Sequence, residues 1–482
     1  MTTEINHDIY DLVVVGFGAA GLSTAVSYLE ATAERPDNPR IAIIERSKKK
    51  DRGGATRWTG AFLRINQERQ LDTNYGSKLS EVSNGLVDDA YCKVLAEKTP
   101  ETIEFIENYG INVVFEDFPL PHTFDAGQPS MTPPASPHGG GLSIVENLGS
   151  VLDQDERTDI YYETEALRLT TDADGRINGL LVRNLDGTTT SLKSKSVVLA
   201  SGGFQGNPQI LTQYIGERAS ELPLIAPGIA NNRGDALRMA TELGADTAGQ
   251  FDGIHAEPVD TRTSKADSVL YGFSTGIFLN SDLQRFIDEG QDTWDNTFEK
   301  VGYEIWKNQG QEAYWIADAK TLEIAGIYNS LLSDVPPEQA DSLADLALKL
   351  DIDPSKLQAT VDEFNASTND LAFDPTRLDG KSTSGATPPK SNWAVPLDTP
   401  PFIGVPVTAA ICFTYGGVRT NLNAQVVTPN GTPIPGLYAA GEATGLYYNE
   451  YPPATSVLRS LVFGRISAQH IAHYLVPQLA VL

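Results

Sequence analysis

A glycine-rich turn near the start of the chain constrains the fold more than any other stretch. The apolar run at residues 12–15 predicts a short buried strand. Gly16, Gly18 and Gly21 follow with the spacing G-x-G-x-x-G, and a stretch of helical composition comes next. The first glycine permits a tight turn, the second lets a pyrophosphate approach the backbone, and the third lets helix and strand pack closely. The free N–H groups of the helix N-terminus complete an anion site.

A second predicted strand supports a dinucleotide site at this turn. Residues 41–44 are apolar and are followed by Glu45. This acid lies at about the distance from the glycines that is expected of a carboxylate that binds a ribose hydroxyl. A glycine turn without a ligand is the alternative interpretation. The spacing leaves open which dinucleotide binds.

Composition limits the classes of partner. The chain has 482 residues, of which 40% are hydrophobic, so we expect two domains with sizeable cores. The formal net charge of −27 argues against nucleic acid and against anionic membrane surfaces, since both favour basic patches. Cys92, Cys412 and six scattered histidines form neither a disulfide framework nor a metal-binding motif, so no metal is predicted.

The sequence shows neither a secretory signal nor a membrane span. Residues 1–8 are polar and lack the basic and apolar regions of a signal peptide. Apolar runs stay below the roughly 18 residues that a spanning helix needs. We therefore expect a soluble, cytoplasmic protein.

Further glycine turns predict close contact between the backbone and a ligand. They lie at residues 53–60, 139–141, 201–207 and 441–445. The last two follow apolar strands, and ligands bind outside the carboxyl ends of such strands. For residues 53–60 an ordinary flexible loop is the alternative interpretation.

Alternating residues in the middle of the chain predict an antiparallel sheet. Residues 160–169 and 177–184 alternate between apolar and polar side chains. Asp186 and Gly187 form a hairpin signal after the second of these strands. The buried strand at 196–200 then returns to the main sheet.

A change in residue pattern divides the chain into two domains. From residue 250 to residue 398 glycine turns become rarer and amphipathic helices appear, for example at 337–348 and 353–366. Residues 436–445 again predict a strand that runs into a glycine turn, as at the beginning of the chain. We therefore predict a nucleotide-binding domain of residues 1–249 and 399–482 that is split by an inserted domain of residues 250–398.

Taken together, these motifs resemble the fumarate reductase/succinate dehydrogenase flavoprotein family, of the FAD-binding 2 type. The resemblance runs along nearly the whole chain. Within the family, residues 249–255 and 449–452 are most similar to the tricarballylate dehydrogenase branch, and the 3-ketosteroid dehydrogenases are a neighbouring branch. The segments that carry the resemblance are residues 16–21 with Glu45, 53–56, 200–207, 280–289, 416–418, 433–442 and 463–465.

The resemblance implies FAD rather than NAD. It also implies an α/β fold, in which a Rossmann-like FAD-binding domain of the glutathione reductase type is split by an inserted α+β capping domain that closes over the flavin. The residues expected to bind FAD are Gly16, Gly18, Ala19, Ala20, Gly21, Glu45, Arg46, Gly53, Gly54, Ala55, Thr56, Thr59, Gly60, Ala166, Ser201, Gly202, Gly203, Asn207, Gly441, Glu442, Ser456, Val457 and Leu458.

The family's grip on substrate carboxylates is largely absent from this chain. Its proton-donating arginine aligns with Phe298, its carboxylate-binding histidine with Phe413, and its second carboxylate-binding arginine with Tyr451. Only the histidine of the capping domain remains, as His255. We therefore expect a larger and less charged substrate than fumarate or succinate, in contact with Phe298, Phe413 and Tyr415.

Four residues are candidates for catalysis. The resemblance implies that Tyr451 is a hydrogen-bond donor or an acid/base, and that His255 orients the substrate. It also implies that Arg285 and Asp282 form a proton relay. For Tyr451, packing at a strand-to-helix turn is the alternative, and for Arg285 it is an ion pair with a neighbouring acid.

The predicted activity is that of an FAD-dependent oxidoreductase. It adds or removes hydrogen across a C–C bond next to a carbonyl or carboxyl group, with a hydride exchanged at flavin N5. A 3-ketosteroid-type 1,2-desaturase acting on a bulky apolar enone and a non-redox flavoprotein isomerase are the alternatives. We expect non-covalent FAD, because Trp58 stands in the region where covalent members attach it. Without a haem or iron–sulfur motif, an external electron acceptor or donor is expected.

Overall fold

The protein is a mixed α/β structure. The computed structural model describes residues 9–124 and 128–475. The strands are β1 Leu12–Val15, β2 Ile41–Ile44, β3 Val113–Phe115, β4 Ala135–Pro137, β5 Thr158–Tyr161, β6 Glu165–Thr171, β7 Ile177–Arg183, β8 Thr189–Lys193, β9 Val197–Leu199, β10 Thr247–Ala248, β11 Ile254–Asp260, β12 Ile277–Asn280, β13 Ala313–Ala317, β14 Glu338–Ala340, β15 Phe402–Thr414, β16 Gly417–Val418, β17 Gln425–Val427 and β18 Pro433–Ala439. The helices are α1 Ala19–Ala31, α2 Tyr75–Val82, α3 Asp89–Asn108, α4 Gly140–Gln154, α5 Pro208–Tyr214, α6 Asp235–Thr241, α7 Trp294–Asn308, α8 Ala319–Leu322, α9 Leu343–Leu350, α10 Pro354–Ser367 and α11 Ser456–Leu475.

A six-stranded sheet is formed by strands from the beginning and the end of the chain. Its strand order is β17-β18-β9-β1-β2-β5, and every pair except β17–β18 is parallel. All four residues of β1 and of β2 are buried, as expected for parallel strands that are covered on both faces. The carboxyl ends of β1, β9 and β18 therefore meet at one edge of the sheet, where the predicted glycine turns at 16–21, 201–207 and 441–445 begin.

Glycines allow α1 to pack closely on the turn that precedes it and on α11. A Cβ atom at Gly21 would lie 2.0 Å from the carbonyl oxygen of Gly16, and one at Gly464 would lie 2.1 Å from Ser23 Oγ. Thr24 Oγ1 also donates a hydrogen bond to the carbonyl oxygen of Gly464 (3.2 Å). The third glycine of the turn therefore serves helix–strand packing, which its position in the motif predicts.

Residues 160–169 were predicted as one alternating strand, and this prediction is wrong. The structure divides the region into β5, which joins the parallel sheet, and β6, which forms a three-stranded antiparallel sheet with β7 and β8. Glu163 lies between them with a φ of 52°, a left-handed conformation that ends β5 and redirects the chain. The hairpin predicted at Asp186–Gly187 joins β7 and β8.

A second, antiparallel sheet has the order β11-β15-β13-β12, and β14 also pairs with β15. The predicted domain boundary at residue 399 falls just before β15, although β15 is the central strand of this sheet. The predicted helix at 337–348 is in fact β14 followed by α9. The helix begins later because the Ser342 side chain accepts a hydrogen bond from the Asp345 N–H (3.1 Å), which makes Ser342 the N-cap.

Among the described residues, no helix is both long enough and apolar enough to cross a membrane. The terminal residues 1–8 and 476–482 of the predicted first domain lie outside the described part of the chain.

Candidate active site

A large cavity lies where the parallel sheet meets the antiparallel sheet. It holds about 1720 Å³ of empty space, part of which is open to solvent. One end is lined by the glycine turns that follow β1, β9 and β18, and the other end by side chains of β11, α7 and β15. The cavity therefore joins the predicted dinucleotide site to the inserted region.

The glycines of the first turn have different surroundings. Gly16 has a φ of 112°, and a Cβ atom there would lie 2.3 Å from the carbonyl oxygen of Ala200. At Gly18 a Cβ atom would make only ordinary van der Waals contacts, the nearest with Thr56 Oγ1 at 3.4 Å, and Gly18 lines the cavity. The Ala19 N–H donates to Thr56 Oγ1 (3.0 Å), which joins the first turn to the 53–60 segment. The turn therefore leaves a cradle for a ligand at Gly18.

Glu45 lies at the end of β2 with its carboxylate fixed by backbone groups. Its Oε2 accepts the Phe17 N–H (3.1 Å) and its Oε1 accepts the Ser47 N–H (2.6 Å). Burial raises the pKa of Glu45 above its ordinary value. The carboxylate lines the cavity and can accept hydroxyl protons of a ribose.

Arg46, the next residue, is neutralised by two carboxylates. Its guanidinium pairs with Glu165 (2.8 Å) and Asp235 (2.7 Å). It also donates to the carbonyl oxygen of Asn231 (3.0 Å). The guanidinium is therefore not free to bind the 2′-phosphate that distinguishes NADP.

The middle of the cavity offers donors without protein partners. Among the described residues, the Ser201 hydroxyl and the Trp58 indole N–H are buried, line the cavity and have no hydrogen-bond partner. Gly202, between β9 and the cavity, has a φ of 73°. Buried donors of this kind require a ligand with acceptor atoms. Together with the Gly18 cradle and the Glu45 carboxylate, these groups fit FAD.

Most residues predicted to bind the cofactor line the cavity. They are Gly16, Gly18, Ala19, Ala20, Glu45, Arg46, Gly54, Ala55, Thr56, Thr59, Ala166, Ser201, Gly202, Gly441, Glu442, Ser456 and Val457. The predicted cofactor residues that do not line it are Gly21, Gly53, Gly60, Gly203, Asn207 and Leu458.

The carboxylate of Glu442 accepts hydrogen bonds from three separate segments of the chain. Its Oε1 accepts the Thr414 N–H (3.1 Å), and its Oε2 accepts the amide groups of Gln205 (3.3 Å) and Asn232 (3.2 Å). A Cβ atom at Gly203 would lie 2.3 Å from Glu442 Oε1, so only glycine fits there. Glu442 therefore joins the turn after β18 to β15 and to the turn after β9.

The far end of the cavity is enclosed by aromatic rings. Trp294 and Phe298 are four residues apart on α7, so they lie on one face of the helix. Tyr271 packs against Trp294 with ring centroids 4.6 Å apart. The aromatic side chains that line this end are Phe62, Phe124, Tyr271, Trp294, Phe298, Phe413 and Tyr451.

His255 lies among these rings, between two carboxylates. Its Nδ1–H donates to Glu299 Oε2 (2.7 Å) and its Nε2–H donates to Glu257 Oε1 (3.1 Å). Because both partners are acceptors, both ring nitrogens carry protons and the ring is an imidazolium. Burial lowers the pKa of His255, but the two carboxylates outweigh this effect and raise it to about 9.

The strand pairing explains which neighbours of His255 face the cavity. His255 and Glu257 are two residues apart on β11, so their side chains point to the same face. A β-bulge on β15 makes Cys412 an extra residue opposite His255 and Ala256. Cys412 and Phe413 can therefore both line the cavity although they are consecutive.

Ligand atoms of His255, Glu257 and Cys412 all lie within 4.8 Å of one another, which is close enough to hold a metal ion. An imidazolium has no lone pair to offer a metal. A cation here would have to displace a proton from His255 and would lose the ion pair with Glu257. The observed hydrogen bonds therefore favour the protonated ring.

Asp267 is a second acid at this end of the cavity. It has a φ of 60°, and its N–H donates to the carbonyl oxygen of Ile225 (3.1 Å). Burial and the negative charge of Glu257 raise the pKa of Asp267 to about 7. This carboxyl group can therefore gain or lose a proton near neutral pH.

Tyr451 presents its hydroxyl group at the start of α11. The oxygen accepts the N–H groups of Thr455 and Ser456, both at 3.0 Å. Burial raises the pKa of Tyr451, while these two hydrogen bonds act in the opposite direction. Because the oxygen is an acceptor in both bonds, its own proton is available to a ligand in the cavity.

Arg285 and Asp282, predicted as a proton relay, do not line the cavity. The Arg285 guanidinium pairs with the buried Glu289 (2.6 Å), donates to the carbonyl oxygen of Pro388 (2.9 Å) and lies over the ring of Phe364. Asp282 is exposed in the turn after β12. These contacts fasten the 280–289 segment to the 388–390 loop, because a buried carboxylate requires a cationic partner.

The FAD binding domain family matches residues 11–456. The chain belongs to this family. It is 24% identical to a vinyl phenol reductase of Lactiplantibacillus plantarum over 98% of both chains, and 24% identical to a urocanate reductase of Eggerthella lenta over 98% of this chain and 75% of the relative. The structure of a flavocytochrome c3 fumarate reductase in an open conformation superimposes with a TM-score of 0.75 at 23% identity, covering 98% of this chain and 79% of the other.

Membership of the FAD binding domain family identifies the dinucleotide as FAD. The predicted resemblance to fumarate reductase flavoproteins is confirmed, as are the predicted fold class and the assignment to FAD-dependent oxidoreductases. The individual site residues and the domain boundaries stay predictions. The likeness to the solved structure concerns the fold alone.

Several residues of the site escaped the sequence analysis. Glu257 could have been found, since alternation along a strand places it beside His255. Trp294 could have been found from its helical spacing to Phe298. Asp267 and Glu299 carry no local signal, because they reach His255 and the cavity only through the tertiary fold. Tyr415, predicted to touch substrate, lies behind the cavity wall and donates its hydroxyl proton to Glu299.

The ion pairs of His255 predict a pH-dependent stability. The pKa is raised from 6.5 to about 9, so the stabilisation is fully present below pH 6.5 and is lost as the pH rises through 9. By linkage it amounts to roughly 3 kcal/mol. The free energy of unfolding, measured in urea from pH 6 to pH 10, is expected to fall over this range in the wild-type protein and to be flatter in His255→Asn.

The exposed His138 provides the matched control for this measurement. His138→Asn is expected to keep the pH dependence of the wild-type protein. An unchanged pH dependence in His255→Asn would contradict the assignment of His255 as a buried imidazolium.

Proposed function

We propose that this enzyme hydrogenates or dehydrogenates the C–C bond next to a carbonyl group in a planar, uncharged substrate. The chain is an FAD-dependent oxidoreductase acting on C–C bonds, and the proposal concerns its substrate class. The observation that carries it is the aromatic enclosure at the far end of the cavity. Rings on several sides suit a flat, apolar molecule.

The charges around the cavity support an uncharged substrate. Three basic residues line it among those described: Arg46, His255 and Arg459. The first two are paired with carboxylates. Arg459 donates to the carbonyl oxygen and the hydroxyl group of Thr444 (3.1 and 3.2 Å). Of the three, only Arg459 has no carboxylate partner among the described residues, so a dicarboxylate would find at most one cation that is not already paired, and it would meet Glu257 and Asp267.

FAD would be held by the glycine turns, Glu45 and the unpartnered donors Ser201 and Trp58. When bound, it exchanges a hydride with the substrate. The protein's own task is then to bind the substrate, to exclude water and to handle one proton. Tyr451 would donate a hydrogen bond to the substrate carbonyl oxygen. The proton would come from the ionisable groups at this end of the cavity, where His255 and Asp267 both have a raised pKa.

The two predicted domains line different ends of the cavity, which supports this proposal. Residues 250–398 supply His255, Glu257, Asp267 and the aromatic face of α7, while the remainder supplies the cofactor end. We assign the two predicted domains these roles, with β15 completing the sheet of the capping domain. Electrons would enter or leave through an external donor or acceptor. Two free cysteines, Cys92 and Cys412, suit a cytoplasmic location.

The first test is anaerobic reaction of the bound flavin with defined substrates. Enzyme reduced with one equivalent of dithionite would be mixed with cyclohex-2-enone, 4-vinylphenol, androsta-1,4-diene-3,17-dione (whose C1–C2 double bond a 1,2-desaturase running in reverse would reduce) or fumarate. We expect an uncharged compound to restore the absorption of oxidised flavin faster than fumarate does. The steroid alone reacting would favour the desaturase alternative. A reaction of fumarate alone would contradict the proposed substrate class.

A non-redox isomerase is the second candidate function, because Asp267 and Tyr451 can move a proton without electron transfer. It predicts that the flavin spectrum stays unchanged while a substrate double bond migrates. The same anaerobic mixing, followed by product analysis, separates the two functions.

We propose that FAD is bound without a covalent link. Support comes from the cavity wall at the 53–60 segment, where Trp58 offers an N–H donor and no nucleophile. Precipitation of the enzyme with trichloroacetic acid is expected to release the flavin into the supernatant. A precipitate that stays yellow and fluoresces after washing would contradict non-covalent binding.

Replacement of Tyr451 tests its role as a donor to the substrate. Tyr451→Phe is expected to lower turnover of the reactive compound by about 10²-fold or more, which is typical for loss of an acid/base or carbonyl donor. The measurement is single-turnover flavin oxidation at equal FAD content. Two N–H groups lose their acceptor, so the stability is also expected to fall by about 1–3 kcal/mol.

Tyr447 provides the matched control. It packs against Tyr451 with ring centroids 4.8 Å apart, its hydroxyl group contacts Thr455 Oγ1 (3.3 Å), and it does not line the cavity. Tyr447→Phe is expected to keep turnover within a few-fold of the wild-type enzyme. Equal turnover of the two variants would contradict a chemical role for Tyr451.

A further inference from the structure

Glu299 lies behind the cavity wall and contacts three groups of the site. It follows Phe298 on α7, and its side chain is 14% exposed. Its Oε2 accepts the Nδ1–H of His255 (2.7 Å). Its Oε1 accepts the hydroxyl proton of Tyr415 and the Tyr451 N–H (3.3 Å). Both oxygens are therefore fully used, and the carboxylate is fixed against the histidine.

The opposite nitrogen of His255 faces the cavity side. Its Nε2–H donates to Glu257, which lines the cavity together with His255 itself. The ring is caged by aromatic neighbours, with centroid distances of 4.8 Å to Phe413, 5.0 Å to Tyr451 and 5.1 Å to Phe298. Close packing of these rings and the two hydrogen bonds oppose rotation of the imidazole. Nδ1 is therefore committed to Glu299 and Nε2 to the cavity side.

We propose that Glu299 is a positioning residue which keeps Nδ1 of His255 protonated, so that Nε2 exchanges the catalytic proton with Glu257 and the substrate. This inference rests on the proposed function, in which one substrate carbon or oxygen must gain or lose a proton. Glu299 acts only through His255 and does not touch the substrate.

The proton step balances without any redox partner. In the direction of hydrogenation, the Nε2–H bond of His255 breaks and an O–H bond forms on Glu257. The carboxyl group of Glu257 then passes a proton to the substrate anion. His255 is left neutral with its proton on Nδ1, and Nε2 regains a proton from water after the product leaves. In the direction of dehydrogenation the same transfers run backwards.

The physical reason for Glu299 is the burial of the ring. A buried histidine without partners loses its charge, since desolvation disfavours the ionised form. Hydrogen bonds and charge from Glu257 and from Glu299 both oppose this effect and raise the pKa of His255 to about 9. Without Glu299, either nitrogen could carry the single proton of the neutral ring. The titratable groups that face His255 are Glu257 on its own strand, Glu299 on α7, Cys412 on β15, and Tyr415, Tyr451 and Asp267.

Glu299→Gln tests this inference with two readouts. The first is the histidine NMR spectrum of the ¹⁵N-labelled FAD-bound enzyme without substrate, in which His255 is assigned by its loss in His255→Asn. We expect the titration midpoint of His255 to fall by at least one pH unit in the variant. The second is the pH profile of flavin oxidation by the most reactive compound of the panel, whose alkaline limb should move to lower pH, with at least a tenfold loss of rate at pH 8.

Two further variants separate positioning from mere packing. Glu299→Asp keeps the charge and is expected to restore part of the rate and of the alkaline limb. Glu304 lies on the same helix, but its carboxylate accepts hydrogen bonds from the Asn308 and Gln309 side chains and does not contact His255. Glu304→Gln is therefore expected to behave as the wild-type enzyme. FAD content and the urea midpoint report whether each variant is folded.

The outcomes distinguish this inference from the proposed function. If no compound of the panel oxidises the flavin of the wild-type enzyme, the proposed function fails, and the NMR titration still decides the state of His255. A titration midpoint unchanged in Glu299→Gln would overturn the inference. So would a folded Glu299→Gln enzyme with the wild-type pH profile and a rate within twofold.

Discussion

The carboxylate of Glu442 is the interaction on which the site depends. It is half-buried in the cavity wall, and it takes hydrogen bonds from β15, from the turn after β9 and from Asn232. These segments come from distant parts of the chain and belong to different sheets. A carboxylate that is partly withdrawn from water needs hydrogen-bond donors, so Glu442 stabilises the meeting of these three segments. They form the part of the cavity wall where the dinucleotide cradle adjoins the aromatic end.

The two ends of the cavity are lined by different kinds of group. The cofactor end consists of glycine turns, backbone N–H groups and one fixed carboxylate, which suit a large ligand with many acceptor atoms. The other end consists of rings around a buried imidazolium and its carboxylates, with Asp267 and Tyr451 nearby. Because His255, the basic side chain among these rings, is already paired with two carboxylates, this end can recognise shape and hydrogen bonds better than negative charge. This arrangement agrees with the proposed uncharged substrate.

The local motifs were predictable because their chemistry is contained in consecutive residues. Gly16, Gly18 and Gly21 predict a turn after a strand. The glycine turns at 201–207 and 441–445 also follow strands, which predicts that all three lie at the same edge of the sheet. His255 was found through the family resemblance. Arg285 was assigned to a relay on the same basis, but its guanidinium is taken by Glu289 and by backbone carbonyls, which the alignment could not reveal. Glu299 and Asp267 had no signal, because their role depends on which side chains stand opposite them.

The sequence alone determined the cofactor class, the parallel sheet that carries it, and the loss of cationic residues from the substrate region. These follow from backbone conformation and from residue identity, which are local properties. The tertiary structure alone decided the ionisation of His255, the availability of the Tyr451 proton and the raised pKa of Asp267. Those are properties of the environment: burial removes water, and the carboxylates or N–H groups brought up by other segments then set the charge.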